Sequence, residues 1–230
     1  MNTRKHVLIS FTILTAGAIA LAHSGDAHSE AAYSTTNDVY AGTGWKIFTQ
    51  NQVYSINPNV RYVITWDSAT ARDKMTKTIE PAIKQLRALG IDVYNTTQVE
   101  TVASTACAPG GHIVIGMKYR PAGKVATSTG APCFNASTHA LWSGKVWMDS
   151  EYKQLGGTYS LSDKIWKSAV PHEVGHAFGL DHPAGTTKNS AGDTPVMTSP
   201  NGGFASSSKF GQYTSYDLNG FKALLANYDG

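Results

Sequence analysis

The sequence predicts an α/β domain of the α+β kind, built on a mixed, twisted sheet. Three observations carry that expectation. Short apolar, β-branched runs beginning near residues 60, 91, 111 and 144 read as strands. Two longer stretches repeat apolar side chains at helical spacing. The order of elements is strand, helix, strands, helix, loop, helix, which suits one layered domain. The 230 residues suffice for one sizeable domain or two small ones. With 41% hydrophobic and 15% charged residues, the composition is globular with a lightly charged surface rather than disordered.

The first element is a targeting segment. "MNTRKH" is basic, and Val7 to Ala22 is a continuous apolar run closing on Ala20 and Ala22, an A-x-A pattern. That is the layout of a secretory signal peptide over residues 1–22, and the run is short for a membrane span. Its loss removes Arg4 and Lys5 and no acid, so the formal net charge falls by two, from +3 to +1. Neither a nucleic acid nor a membrane partner is then expected. The chain is expected to be secreted, extracellular and monomeric. In such a chain Cys107 and Cys133 should form one disulfide, closing a loop of about 26 residues and contributing about 3–4 kcal/mol.

Residues 23–44 lack periodicity and read as a flexible leader or short propiece, with the folded domain at 45–230. Val60 to Trp66 is the first strand. A helix follows to Gly90, with Met75, Ile79, Ile83, Leu86 and Leu89 on one face, and Pro81 predicts a kink or boundary inside it. Ile91 to Thr97 and Gly111 to Tyr119 are the next strands, the latter apolar enough to be central. Residues 120–140 read as a long loop, and Gly144 to Tyr152 as a strand at an edge. The stretch from Ser160 to Gly179 is a helix with Ser160 and Asp163 as a capping pair, and Pro171 should kink or restart it. The chain is then irregular to about Ser215. A short amphipathic helix ends it, with Leu218, Phe221, Leu224 and Leu225 on one face.

The chemistry concentrates in "VPHEVGHAFGLDHP", Val170 to Pro183. On a helix, residues four apart share a face, so His172 and His176 can reach one ion. Gly179 lets the chain leave the helix sharply, and three residues later His182 can turn back as a third ligand. Three histidines suit one Zn2+ and leave a fourth position open, as a catalytic zinc site requires. Glu173, one residue past His172, is directed at a water rather than at the ion and is the candidate general base and acid. Five positions at these offsets arise by chance about 2 × 10⁻⁵ times in a chain of this composition, which favours a site over an ordinary histidine-rich helix.

"HEVGHAFGLDH" resembles H-E-x-x-H-x-x-G-x-x-H, the zinc signature of the metzincin metalloproteases. The resemblance implies a metzincin-like fold with a long helix, an active-site helix, a Met-turn and a C-terminal helix. It also implies a zinc-dependent endopeptidase acting on protein or peptide substrates. Met197 in "TPVMTSP" lies where the Met-turn is expected. "GKVWMDSEY" looks like the edge strand that binds substrate as an added strand. "YDLNGFKALL" is similar to the C-terminal helix of matrixins, in which the position of Asp217 is acidic. Pro200, Asn201 and Gly202 are implied to wall the pocket for the residue after the scissile bond. Ser199 stands where astacin- and serralysin-type members carry Tyr, which favours a matrixin-like secreted member. Pro183 departs from the Ser usual in matrixins.

Other candidates are weaker. His112 and His139 are considered for a second metal, and Asp149, Glu151 and Asp193 for a Ca2+ site like those of matrixins. The competing function is a secreted zinc-binding or adhesive module without catalysis, against which Glu173 argues.

Overall fold

The computed structural model describes residues 38–103, 105–199 and 202–228. The signal segment, most of the leader, and Pro200 and Asn201 lie outside the described residues. The architecture is mixed α/β. A five-stranded sheet has the order β4 (Val93–Val99), β3 (Tyr62–Trp66), β5 (His112–Lys118), β7 (Leu141–Asp149) and β6 (Thr129–Phe134). The first four are mutually parallel, and β6 runs antiparallel to β7. A smaller three-stranded sheet joins β1 (Ala41–Gly42), β2 (Trp45–Ile47) and β8 (Leu180–Asp181).

Helix α1 (Ala69–Ala88) follows β3 and crosses over to the parallel β4. Ser68 caps it by accepting from the Ala71 N–H at 3.1 Å. Met75, Ile79, Ile83 and Leu86 turn inward as their spacing requires. Helix α2 (Asp163–Ala177) packs against β6, β7 and α1. Helix α3 (Ser215–Ala226) closes the chain against β2 and β8, with Phe221 and Leu224 fully buried and Leu218 and Leu225 at the margin.

Several expectations need correction. Pro81 does not end its helix, and Pro171 does not restart α2, which runs unbroken through it. Each proline forfeits a hydrogen bond at a cost of about 3 kcal/mol. Burial of Ile79, Ala82, Ile83 and Leu86 around the one, and of Val170 and Val174 around the other, outweighs that cost. The N-cap of α2 is Ser162, which accepts from the Ile165 N–H, rather than a Ser160–Asp163 pair. Asp163 instead pairs with Lys167 at 3.0 Å.

The larger correction concerns the sheet edge. The segment 144–152 is not an edge strand, because β7 is hydrogen-bonded on both sides, to β5 and to β6. The edge is β6, inside the segment read as a loop. Its sequence, TGAPCF, hides the strand, since Gly and Pro break the pattern. An edge tolerates Pro132, whose missing N–H removes only one ladder bond. Cys133 on this strand is bonded to Cys107, with the Cα atoms 5.9 Å apart, as the cysteine count predicts. Lys145 of β7 donates to the carbonyls of Ala103 and Ala106, so the loop carrying Cys107 is held at both places.

Candidate metal centre

Three elements bring the predicted ligands together. His172 and His176 project from one face of α2. Gly179 takes a φ of 100°, a left-handed conformation that frees the chain to turn off the helix. His182 follows directly after β8. The Nε2 atoms of His172 and His182 are 3.1 Å apart, as are those of His176 and His182. Among the described residues this is the one group of three ligating side chains that can hold a metal ion, with ligand atoms all within 4.8 Å of one another.

The ring hydrogen bonds show which nitrogens face inward. His172 Nδ1 donates to the Val196 carbonyl at 2.7 Å, and His176 Nδ1 to the Leu180 carbonyl at 2.7 Å. Each leaves an Nε2 lone pair pointing at the centre of the cluster. Nitrogens in such contact cannot all find donors among themselves, and the three side chains form a group that could hold a metal ion. Burial pushes all three rings toward the neutral state, His172 to about 4, His176 well below its ordinary value, and His182 downward. Neutral imidazole is the form that binds a metal.

Glu173 lies beside the cluster, buried to 9% exposure. Burial pushes its carboxyl up to about 8, opposed by the backbone N–H of Gly130 on β6. Gly130 allows close contact here. A Cβ at that position would lie 2.0 Å from the Glu173 carbonyl oxygen and 2.8 Å from the His176 Cβ. Edge strand and helix therefore touch backbone to backbone at the site. Gly130→Ala is expected to force β6 off α2 at a cost of about 1–3 kcal/mol. Thermal denaturation should show the loss, and a variant as stable as the parent would contradict this contact.

A cavity of about 260 Å³ opens beside His172 and Glu173, lined also by Tyr152, Ile165, Val196 and Gly202. Tyr152 is held there by donating to the Ala126 carbonyl at 2.7 Å. Of the three residues expected to wall a pocket, Gly202 does line this one, while Pro200 and Asn201 lie outside the described residues. Ser199 also lines it.

Met197 sits beneath α2. A Cβ on Gly175 would approach its Sδ to 2.3 Å, so Gly175 admits the thioether directly under the ligand pair. The turn carrying Met197 is tied to α3 by Asp217, which is fully buried. Its carboxylate accepts from the N–H groups of Val196 at 2.9 Å, Met197 at 3.1 Å and Thr214 at 2.9 Å, and from the Thr214 hydroxyl at 2.7 Å. The Thr214 part is a reciprocal helix cap, legible as T-x-x-D in the sequence. The bonds to Val196 and Met197 have no sequence signal.

The remaining candidates do not join the site. His112 pairs with Glu100 at 2.9 Å. His139 stacks between Tyr54 and Phe134, with ring centroids 4.9 and 5.4 Å away. Asp149 accepts from the Arg120 and Glu151 N–H groups, Glu151 pairs with Arg120, and Asp193 accepts from Asn189 and Ala205. Asp149 and Glu151 share one turn around Arg120 and Asp193 lies on another, and the three do not come together as a ligand group among the described residues. Sequence reasoning missed Gly130, Tyr152 and the backbone role of Asp217.

Comparison of the chain with protein-family models found no match, and neither did comparison with curated proteins.

Proposed function

We propose that this protein is a secreted, zinc-dependent endopeptidase of metzincin type. The observation that carries the reading is the convergence of three histidine side chains beside a buried glutamate and an open cavity. The donor set suits Zn2+, which favours imidazole nitrogen and a catalytic shell of three protein ligands. When bound, zinc supplies Lewis-acid chemistry, acidifying a water and polarising a carbonyl.

The chain's own residues do the rest. His172, His176 and His182 hold the ion, the first two kept in one tautomer by Val196 and Leu180. Glu173 accepts the proton of the attacking water and delivers it to the leaving amine, a role worth about 10²–10⁴ in rate. In the metal-free chain burial raises the Glu173 carboxyl, and a bound cation would oppose that rise and favour the carboxylate that takes up the proton. The cavity receives a substrate side chain next to the scissile bond. Strand β6 offers its free edge to the substrate backbone, which adds as a further strand.

The test is metal content and hydrolysis together. Purified protein should hold about one zinc per chain by elemental analysis and cleave casein. Chelation should abolish cleavage, and added zinc should restore it. Zinc-loaded protein inactive on a broad peptide library would favour instead a module that holds zinc without catalysis.

A further inference from the structure

We propose that Lys46, on the amino-terminal strand β2, is a positioning residue for His182. The inference rests on reading the three histidines as a metal site. The segment from Gly179 to His182 carries both the third ligand and the Leu180 carbonyl that orients His176. As a strand it is only two residues long, Leu180–Asp181, too short to hold its own shape. Its ladder partner is β2, with Lys46 opposite Asp181 and Ile47 opposite Leu180. One residue on, the Phe48 N–H donates to the Gly179 carbonyl at 2.7 Å.

The side chains extend the pairing to the ligand itself. Lys46 Nζ lies 2.6 Å from Asp181 Oδ2, and Asp181 Oδ1 accepts from the backbone N–H of His182 at 2.7 Å. One carboxylate thus bridges an ammonium on β2 and the backbone of a metal ligand. The Asp181 side chain is only 13% exposed, so solvent screens the pair less than an open surface pair. Strand β2 is in turn seated on α3, where Trp45 packs against Gly220 at a distance that leaves little room for a side chain. The Phe48 ring lies 5.4 Å from that of His176. A strand more than 130 residues away in sequence from His182 therefore completes the support of the ligand set.

The experiment measures zinc affinity of the full chain by competition with a chromophoric chelator, alongside near-ultraviolet circular dichroism of the metal-free protein. Lys46→Met should weaken zinc binding about tenfold, the lower end of the effect of lost outer-shell partners. Its dichroism should stay unchanged. Lys46→Arg should bind within about twofold of the parent, because it keeps the ion pair. Asp181→Asn should weaken binding as Lys46→Met does, and the double variant should lose little more. The Asp181→Asn arm decides the matter if Lys46→Met does not fold. Zinc binding by Lys46→Met equal to that of the parent overturns the proposal and leaves the metal reading standing. A parent chain that binds no zinc overturns both.

Discussion

Glu173→Gln should retain zinc and fold while losing hydrolysis by about 10²–10⁴-fold. The amide is isosteric, so the contact with Gly130 and the cavity wall persist, but it cannot take up a proton. The loss should fall on kcat, since the carboxylate acts on the proton in flight rather than on substrate binding. A variant that cleaves at the parent rate would sink the assignment.

The same substitution has a second readout. In the metal-free protein, burial raises Glu173 to about 8 from an ordinary 4.5. Between those values the folded state keeps a proton that the unfolded chain has released. Stability attributable to this group therefore falls as pH rises across that window. The histidines run the other way, because their folded values are lowered, so their contribution grows as pH rises toward and through 6.5. Comparing the chelated parent with chelated Glu173→Gln isolates the glutamate. The variant should gain stability relative to the parent at pH 8 and show little gain at pH 5. Denaturant midpoints at the two pH values check it, and equal differences at both would contradict the burial argument.

Asp217→Ala should be the most damaging change to the fold near the site. It would leave the N–H groups of Val196, Met197 and Thr214 buried without their acceptor. Each such orphan costs about 1–3 kcal/mol, so a total of about 3–9 kcal/mol is expected, a large part of a typical domain's stability. Asp217→Asn is the informative partner. Its amide oxygen can replace one carboxylate oxygen, but its NH2 must then face a donor, so a smaller loss is expected and the fold persists. Zinc affinity should still drop by about 10–100-fold, because the Val196 carbonyl that orients His172 is carried on the turn Asp217 holds. Normal zinc affinity in folded Asp217→Asn would show that the turn is positioned by other contacts.

The strands of the parallel half of the sheet, both long helices and the C-terminal helix were legible because each carries its own period. Strand β6 was not, because a six-residue edge strand containing Gly130 and Pro132 has no alternation to read. Its existence depends on β7 offering an unpaired edge, a condition visible only once both are placed. A kink or a break was expected at Pro81 and at Pro171, and the break does not occur at either, for a related reason. A local penalty of about 3 kcal/mol is readable from one residue, whereas the buried area that offsets it depends on neighbours distant in sequence.

The sequence by itself determined the ligand candidates of the site. The spacing of His172, Glu173, His176, Gly179 and His182 is a local property of a helix and the turn after it, and local geometry follows from local residues. The even cysteine count likewise determined the Cys107–Cys133 bond. Only the tertiary structure decided what packs around those residues: Asp217 on the turn of Val196, Gly130 against Glu173, and Lys46 paired with Asp181. These partners lie far from the motif in the chain and act through single backbone groups or one missing Cβ. Such contacts leave no periodicity in a sequence, since they arise where separate elements meet after the chain has folded.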